Sequence, residues 1–364
     1  MKSFCEVLEM REESELKYGF DFRLPQYRRE VFLRFYEFHL KYRAHAGGVY
    51  YAFPYIWEKN GLDGNQKLWF CFINGCSQNV VSTNIIFEAF PDLNTLKISR
   101  LERWWRENSG RLAWDTDRRF VRKRFPEMVL RYKNLVGENQ SVYFSQFLKS
   151  ADPKKNFLSA WETVLKDFVL FGRLATFSYL EYLRIAGLYL DCDRLFLEDI
   201  KGSKSHRNGI MKVAGRDDYD WQKKNPVTYT PEIINWAKEY AEELLEESRE
   251  RIDHPDVSYF TLETTLCNFK GWFRKNRRYP NVYNDMFFDR IKKAERKWPK
   301  EDFSIFWEAR KNFLPKNLRL EDNPGDLGVH PLKQNHFRLT GQVIMMDRDW
   351  DCFRNEYNDK FTKP

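Results

Sequence analysis

The sequence predicts an all-α protein, because apolar residues recur at helical spacing along most of the chain. Sustained alternation of the strand type is nearly absent, and the clusters of Gly, Pro, Asn and Asp are short. With 364 residues, of which 42% are hydrophobic, the chain can form a substantial core. We therefore expect one compact helical domain over residues 1–364, with a two-lobed arrangement as the alternative and residues 301–364 as a C-terminal extension.

The individual helices are predicted from their apolar stripes and their boundary residues. A helix should follow Pro25, and residues 68–90 form one long apolar-rich stretch that Pro91 ends. Further stripes lie in residues 156–168 and 262–273, and Thr230 is a candidate cap for a charged helix that begins at Pro231. A small β-hairpin is the one exception that we expect, near residues 195–213.

Charge is segregated along the chain. The net charge is +8 overall, but residues 100–133 carry a net +6, residues 268–300 a net +8 and residues 232–256 a net −6. Such segregation indicates a positive surface for a polyanion and a solvated acidic surface elsewhere. The aromatic share of 17% fills much of the core, and the remaining rings can stack on bases.

Several classes of protein are disfavoured. The six cysteines form no CxxC pair, so no structural zinc site and no metal ligands are predicted. Neither a signal peptide nor an apolar run near the roughly 20 residues of a membrane span is present. The GxxxxGK[ST], GxGxxG, HExxH and GxSxG motifs are absent. We expect a soluble cytoplasmic protein with no membrane partner.

Two segments offer groups suited to phosphate. Arg173 follows Gly172 at the start of an amphipathic helix, where its guanidinium can lie beside a phosphate. The segment 201–209 is expected to be a loop that combines hydroxyl, amide, imidazole and cationic groups, which suits an oxyanion but also suits an ordinary polar surface. Its members Ser203, Lys204, Arg207 and Asn208 are therefore candidate phosphate ligands.

Carboxylates and a second cationic segment supply further candidates. Asp191 and Asp193 could hold a cation, act as a base or cap a helix. Glu263, Cys267 and Lys270 share one helical face by their spacing of four and three residues. The basic run that follows, with Arg274, Lys275, Arg277, Arg278 and Tyr279, fits contact with DNA backbone and base stacking.

A last segment interleaves indole rings with guanidinium groups. Arg111, Trp114, Arg118 and Arg119 can bind DNA backbone and stack on bases. The alternative is a core tryptophan flanked by surface arginines.

The combination of these segments resembles bacteriophage amino acid:DNA transferases, also described as α-glutamyl/putrescinyl thymine pyrophosphorylases. The resemblance rests on Phe171-Gly172-Arg173 with Thr176, Glu181 and Leu183, on the Arg207-Asn208-Gly209 segment, and on Leu266-Cys267 through Lys270, Arg278 and Tyr279. It extends over roughly residues 25–300 and is most specific over 168–290. The Tyr279-Pro280 step departs from the family's pattern of a tyrosine followed by a small residue.

The resemblance implies a helical fold related to helix-hairpin-helix DNA glycosylases, and a step in thymine hypermodification. A separate 5-hydroxymethyluracil DNA kinase would activate the base in double-stranded DNA. The transferase would then replace the (pyro)phosphate of 5-(pyro)phosphomethyl-deoxyuridine with the amine of an amino acid or polyamine, in the cytoplasm of an infected bacterial host. The base must leave the duplex to be reached.

The implied chemistry assigns roles to the candidates. Arg173, Lys204, Arg207 and Arg278 would stabilise the charge of the departing phosphate, with Ser203, Asn208 and Lys270 as further ligands. The attacking amine must lose a proton, for which Asp191, Glu263 and His206 are the alternatives. No cofactor is required, although a divalent metal could bridge phosphate oxygens. The competing functions are a helix-hairpin-helix-like DNA glycosylase, disfavoured by the lack of a Gly-rich hairpin, and a non-catalytic DNA-binding protein.

Overall fold

The structure is a computed structural model that describes residues 25–43, 45–273, 282–314, 316 and 319–322. These residues form α-helices and short 3-10 turns without a β-strand, apart from an isolated bridge between Gln222 and Asn225. The predicted all-α fold class is therefore confirmed. In chain order the helices are α1 Arg28–Lys41, α2 Val49–Lys59, α3 Gly64–Ser77, α4 Val80–Ala89, α5 Ile98–Asn108, α6 Phe125–Val136, α7 Gln140–Ser145, α8 Pro153–Asp167, α9 Arg173–Ile185, α10 Lys204–Val213, α11 Pro231–Arg251, α12 Tyr259–Trp272, α13 Val282–Lys297 and α14 Ser304–Phe313.

The chain divides into two compact units, and each unit combines segments that are far apart in sequence. Unit 1 contains the described residues of Met1–His45, Leu195–Asp285 and Pro315–Pro364. Unit 2 consists of Ala46–Arg194 and Met286–Leu314. No helix in the described residues is long and apolar enough to cross a membrane.

Unit 1 is built around α12, which packs against α1 and α10. The predicted stripe of α1 is buried, and the rings of Phe32 and Phe35 lie 5.4 and 6.3 Å from the ring of Phe269 in α12. The predicted helix α11 begins after Thr230, whose side chain accepts a hydrogen bond from the backbone N–H of Ile233. An N-cap of this kind satisfies a donor that the helix itself leaves unpaired.

The hairpin and the polar loop expected near residues 195–213 are both wrong. Helix α10 begins at Lys204, so most of the segment 201–209 is helical. The reason is burial: His206, Ile210 and Val213 recur at helical spacing and are enclosed. Packing of this face outweighs the weak helix propensity of the Ser, Asn and Gly residues.

Unit 2 contains α3, α4 and α9 at its centre, around a cluster of aromatic rings. The rings of Phe72 and Tyr132 are stacked, with centroids 3.7 Å apart, and the buried Tyr179 lies edge-on to Phe72. The apolar-rich stretch 68–90 is divided between two helices, α3 and α4. Gln78 adopts a left-handed conformation with φ 50°, and Asn79 then caps α4 by accepting a hydrogen bond from the N–H of Ser82.

Candidate active site

Helices α10 and α12 of unit 1 approach each other closely at Gly209. A Cβ added to Gly209 would lie 2.5 Å from the carbonyl oxygen of Leu266, far inside normal contact distance. Only glycine permits this approach of α10 to the backbone of α12. The contact holds His206 of α10 and Glu263 of α12 within hydrogen-bonding distance of each other.

His206 and Glu263 form a buried pair that must share a proton. Nδ1 of His206 lies 2.9 Å from Oε1 of Glu263, and Nε2 lies 2.8 Å from the carbonyl oxygen of Leu195. Because a carbonyl oxygen only accepts, Nε2 carries a proton, and a second proton must lie between Nδ1 and the carboxyl group. The His206 side chain is 1% exposed and that of Glu263 is 11% exposed. Of the two side chains, the Glu263 carboxyl group is therefore the one that a substrate proton can reach.

The face of α12 that was predicted from spacing is confirmed. Sγ of Cys267 lies 3.5 Å from Oε1 of Glu263, and Nζ of Lys270 contacts the hydroxyl of Ser205 one turn further along. Burial raises the pKa of the Cys267 thiol well above its ordinary value, so the thiol is neutral. A positive ammonium group and a proton-sharing pair therefore lie on one surface of unit 1.

The same surface contains a set of potential metal ligands. One ligand atom each from His206, Glu263 and Cys267 lies within 4.8 Å of the others. Imidazole, carboxylate and thiolate groups are ligands of zinc-like divalent cations, and the neutral Cys267 thiol would have to lose its proton to join such a set. The sequence did not predict this set, because the three residues come from two helices and follow no local ligand motif.

Lys204, at the start of α10, lies over an aromatic ring. Its Nζ is 2.9 Å from the ring centroid of Trp221, a cation–π arrangement. Trp221 is held in place by Asn208, whose amide donates to the Trp221 carbonyl at 2.8 Å and accepts from its N–H at 3.1 Å. Asn208 is buried and supports the backbone, so it is not placed as the predicted phosphate ligand.

Two other predicted phosphate ligands are also turned inward. Arg207 is fully buried, and its guanidinium donates to the carbonyl oxygens of Leu197, Asp199 and Ile200. Ser203 is buried and donates its hydroxyl to the Phe196 carbonyl. Both side chains fasten the segment that precedes α10. Direct phosphate binding by either residue is at odds with this placement.

The remaining predicted residues of this site lie in unit 2 or outside the described residues. Arg173 is the first residue of α9 and is half-buried. Oδ1 of Asp191 accepts a hydrogen bond from the N–H of Cys192 and lies 3.8 Å from Nε of Arg184. Of the predicted catalytic residues, the structure therefore pairs His206 with Glu263 and gives Asp191 a local ion-pair partner. Arg274, Lys275, Arg277, Arg278 and Tyr279 lie outside the described residues.

The predicted DNA-binding segment of unit 2 splits into exposed and buried members. Arg111 and Arg119 are exposed; Arg111 donates to the Lys297 carbonyl and stacks 3.6 Å from the Trp298 ring centroid. Trp114 is buried against Trp105 and Phe125, so its predicted base stacking is wrong and the core alternative is right.

Arg118 is a second buried member of this segment. Its guanidinium donates to the carbonyl oxygens of Leu170 and Cys76, at 2.8 and 3.3 Å, so it is turned inward, at odds with the predicted contact with DNA backbone. Its neighbour Phe120, which sequence reasoning passed over, is 83% exposed. The sequence feature that could have identified Phe120 is its position after two arginines and shortly before an Arg-Lys-Arg run.

Comparisons with known proteins identify one family and one named relative. A family model described as amino acid:DNA transferase matches residues 50–278. A protein of Salmonella phage ViI named serinyltransferase is 29% identical over 291 residues, which cover 76% of this chain and 71% of that protein. No solved structure shows a significant match.

The family match includes His206, Glu263, Cys267 and Lys270, together with the residues on which the sequence resemblance rests except Tyr279, which lies one residue beyond it. It extends over more than half of the chain. The chain belongs to the amino acid:DNA transferase family and is a transferase that acts on DNA.

Proposed function

We propose that the protein replaces the (pyro)phosphate of 5-(pyro)phosphomethyl-deoxyuridine in double-stranded DNA with the amine of an amino acid. The family supports amino-acid transfer onto DNA. The name of the phage ViI relative makes serine the first donor to test, ahead of other amino acids and polyamines. The observation that carries the proposal is the buried His206–Glu263 pair beside the Lys270 ammonium group.

The reaction requires one bond to form and one to break. The nitrogen lone pair attacks the methylene carbon on C5 of the base and forms a C–N bond. The C–O bond to the (pyro)phosphate breaks, and its electron pair leaves with the phosphate oxygen. The attached nitrogen then loses a proton. Glu263 accepts this proton when the proton of the pair resides on His206.

Two lysine ammonium groups are proposed to support departure of the phosphate. Lys270 and Lys204 carry ammonium groups on α12 and at the start of α10. Fixed positive charge that is already in place stabilises the oxyanion as it develops. Arg173 and Arg278 stay predictions for the same role, and Asp191 stays a prediction for proton transfer.

The activated base has to come from another enzyme. The chain contains no GxxxxGK[ST] phosphate loop, so we propose that a separate 5-hydroxymethyluracil DNA kinase supplies the phosphorylated base. The phage origin of the relative supports a reaction in the cytoplasm of an infected bacterium. Transfer is proposed to require no cofactor, although His206, Glu263 and Cys267 could hold a divalent metal.

The proposal is tested with duplex DNA that carries 5-phosphomethyl- or 5-pyrophosphomethyl-deoxyuridine. The DNA is incubated with serine, glycine, glutamate or putrescine, with and without a chelator, then digested to nucleosides for mass spectrometry. The expected product has the mass of an amino-acid adduct. Unchanged nucleosides with every donor would exclude the proposal, and an abasic product would indicate a glycosylase instead.

Serine requires one further distinction, because its amine and hydroxyl give adducts of equal mass. An adduct linked through nitrogen has no primary amine and does not react with o-phthalaldehyde, whereas an adduct linked through oxygen does. Reaction would overturn the amine as nucleophile but not the transfer itself. Glu263→Gln is expected to lower transfer about 100-fold, in the usual range for loss of a general base. Glu239→Gln, on the exposed face of α11, is the matched control and should be unaffected.

A further inference from the structure

Phe120 is the most exposed of the large hydrophobic side chains in the described part of the chain. It ends the 3-10 turn Thr116–Phe120, and 83% of its surface is accessible. A phenylalanine in this position gives up the stabilisation that burial of its ring would provide. The ring is therefore available to a partner that can enclose it.

The backbone that carries Phe120 is anchored to the core of unit 2. Arg118 reaches inward and donates to the carbonyl oxygens of Leu170 and Cys76. The N–H of Asp115 donates to the Ser77 carbonyl at 3.0 Å, so the turn is held on both sides of Thr116. Phe120 thus projects from a turn whose backbone is held by hydrogen bonds to the core of unit 2.

The surroundings of the ring are positively charged. Arg119, Lys123 and Arg124 are exposed, and the guanidinium of Arg119 lies 5.8 Å from the Phe120 ring centroid. Of the five basic side chains within residues 116–124, Arg118 points inward and Arg124 pairs with Glu127, which leaves Arg119 and Lys123 as the exposed cations nearest to the ring in sequence. An apolar ring surrounded by cations fits a polyanion that contains apolar stacked layers, which is the chemistry of a nucleic acid duplex.

We propose that Phe120 is an intercalating wedge, which inserts between adjacent base pairs of the duplex and unstacks them, while Arg119 and Lys123 bind the neighbouring phosphates. Proteins that bend or open DNA insert single apolar side chains, phenylalanine among them, between base steps in this way. An enzyme that modifies a paired base has to disrupt its stacking first. The inference rests on DNA as the substrate of the family and not on the proposed amine chemistry.

Tyr189 and Val142, the next most exposed of the large apolar residues in the described region, lack this combination. The hydroxyl of Tyr189 is engaged with the Ala151 carbonyl. Val142 is 56% exposed on α7, but residues 137–147 contain no lysine or arginine. Val142→Ala is therefore a matched control that removes exposed apolar surface without touching the cationic segment.

The test uses the full chain and unmodified duplex DNA with one 2-aminopurine, whose fluorescence rises when its stacking is lost. Binding of the wild-type protein should raise the fluorescence, and a duplex with a mismatch beside the probe should bind about tenfold more tightly than a matched one, since a mismatch is easier to unstack. Phe120→Ala should lose both effects. Phe120→Trp and Val142→Ala should keep them.

Three results would overturn the proposal. They are the absence of a fluorescence rise with wild-type protein, a full rise with Phe120→Ala, and concentration-dependent self-association that Phe120→Ala abolishes. The last result would assign the ring to a contact between copies of the chain. Because no transfer occurs in this assay, its outcome is independent of whether the proposed chemistry is correct.

Discussion

Substitution of Gly209 by alanine tests whether the α10–α12 contact creates the His206–Glu263 pair. The added methyl group would lie 2.5 Å from the Leu266 carbonyl oxygen and 2.8 Å from its carbonyl carbon. Favourable contact between heavy atoms begins near about 3.5 Å. The two helices therefore have to separate locally by about 1 Å.

Separation on this scale has two measurable effects. Overpacking costs about 1–3 kcal/mol, and the better helix propensity of alanine returns about 0.5–1 kcal/mol, so the net loss in the free energy of unfolding lies between about 0 and about 2.5 kcal/mol. The distance between Nδ1 of His206 and Oε1 of Glu263, now 2.9 Å, would exceed hydrogen-bonding range. A misplacement of this size lowers activity about 100-fold.

The measurements are urea unfolding and the transfer assay, on Gly209→Ala beside Gly110→Ala. No atom lies within 4 Å of a Cβ placed on Gly110, so this control should change stability by less than about 0.5 kcal/mol and leave transfer intact. If Gly209→Ala is as stable and as active as wild type, the close contact does not position the pair. If it loses stability but retains activity, His206 and Glu263 act independently of their hydrogen bond.

Two further predictions concern buried polar groups. Burial lowers the pKa of the His39 imidazole well below its ordinary value of 6.5, so as pH falls the unfolded chain binds this proton before the folded protein does. The free energy of unfolding should therefore decline below about pH 6.5 by up to about 1.4 kcal/mol per pH unit. Chemical unfolding of His39→Gln should show a flatter slope, and equal slopes for the variant and the wild type would contradict the assignment. Arg118→Met should lower the free energy of unfolding by about 2–4 kcal/mol because it leaves buried carbonyl groups unpaired. Arg119→Met should leave stability unchanged and weaken DNA binding in a salt-dependent titration. Reversal of the two effects would show that burial has been assigned to the wrong arginine.

Helix-borne features of the sequence were predictable because they depend on local geometry. The shared face of Glu263, Cys267 and Lys270 follows from 3.6 residues per turn, and the start of α11 follows from Thr230 and Pro231. Both require only the chain's own neighbouring residues. The same is true of the all-α class, which summed periodicity indicates over many segments.

Features that depend on distant partners could not be obtained in this way. Arg118 and Arg119 are adjacent and chemically identical, but only Arg118 meets the carbonyl oxygens of Leu170 and Cys76 and becomes buried. The polar composition of 201–209 predicts a loop, whereas packing against α12 makes most of this segment helical. The partner of His206 is likewise 57 residues away in sequence, beyond any local motif.

The discontinuous composition of unit 1 has a consequence for how the chain is synthesised. Helix α1 buries Phe32 and Phe35 against Phe269, so these two rings lack this native contact until more than 200 further residues have been made. At about 5–20 residues per second, that interval is about 10–50 s. During this time the segments of unit 2 are synthesised while the aromatic rings of α1 stay exposed to solvent. The exposed rings are a binding site for the chaperones of the producing cell. Yield of the folded enzyme should therefore depend on translation speed and chaperone supply as well as on the stability of the finished fold.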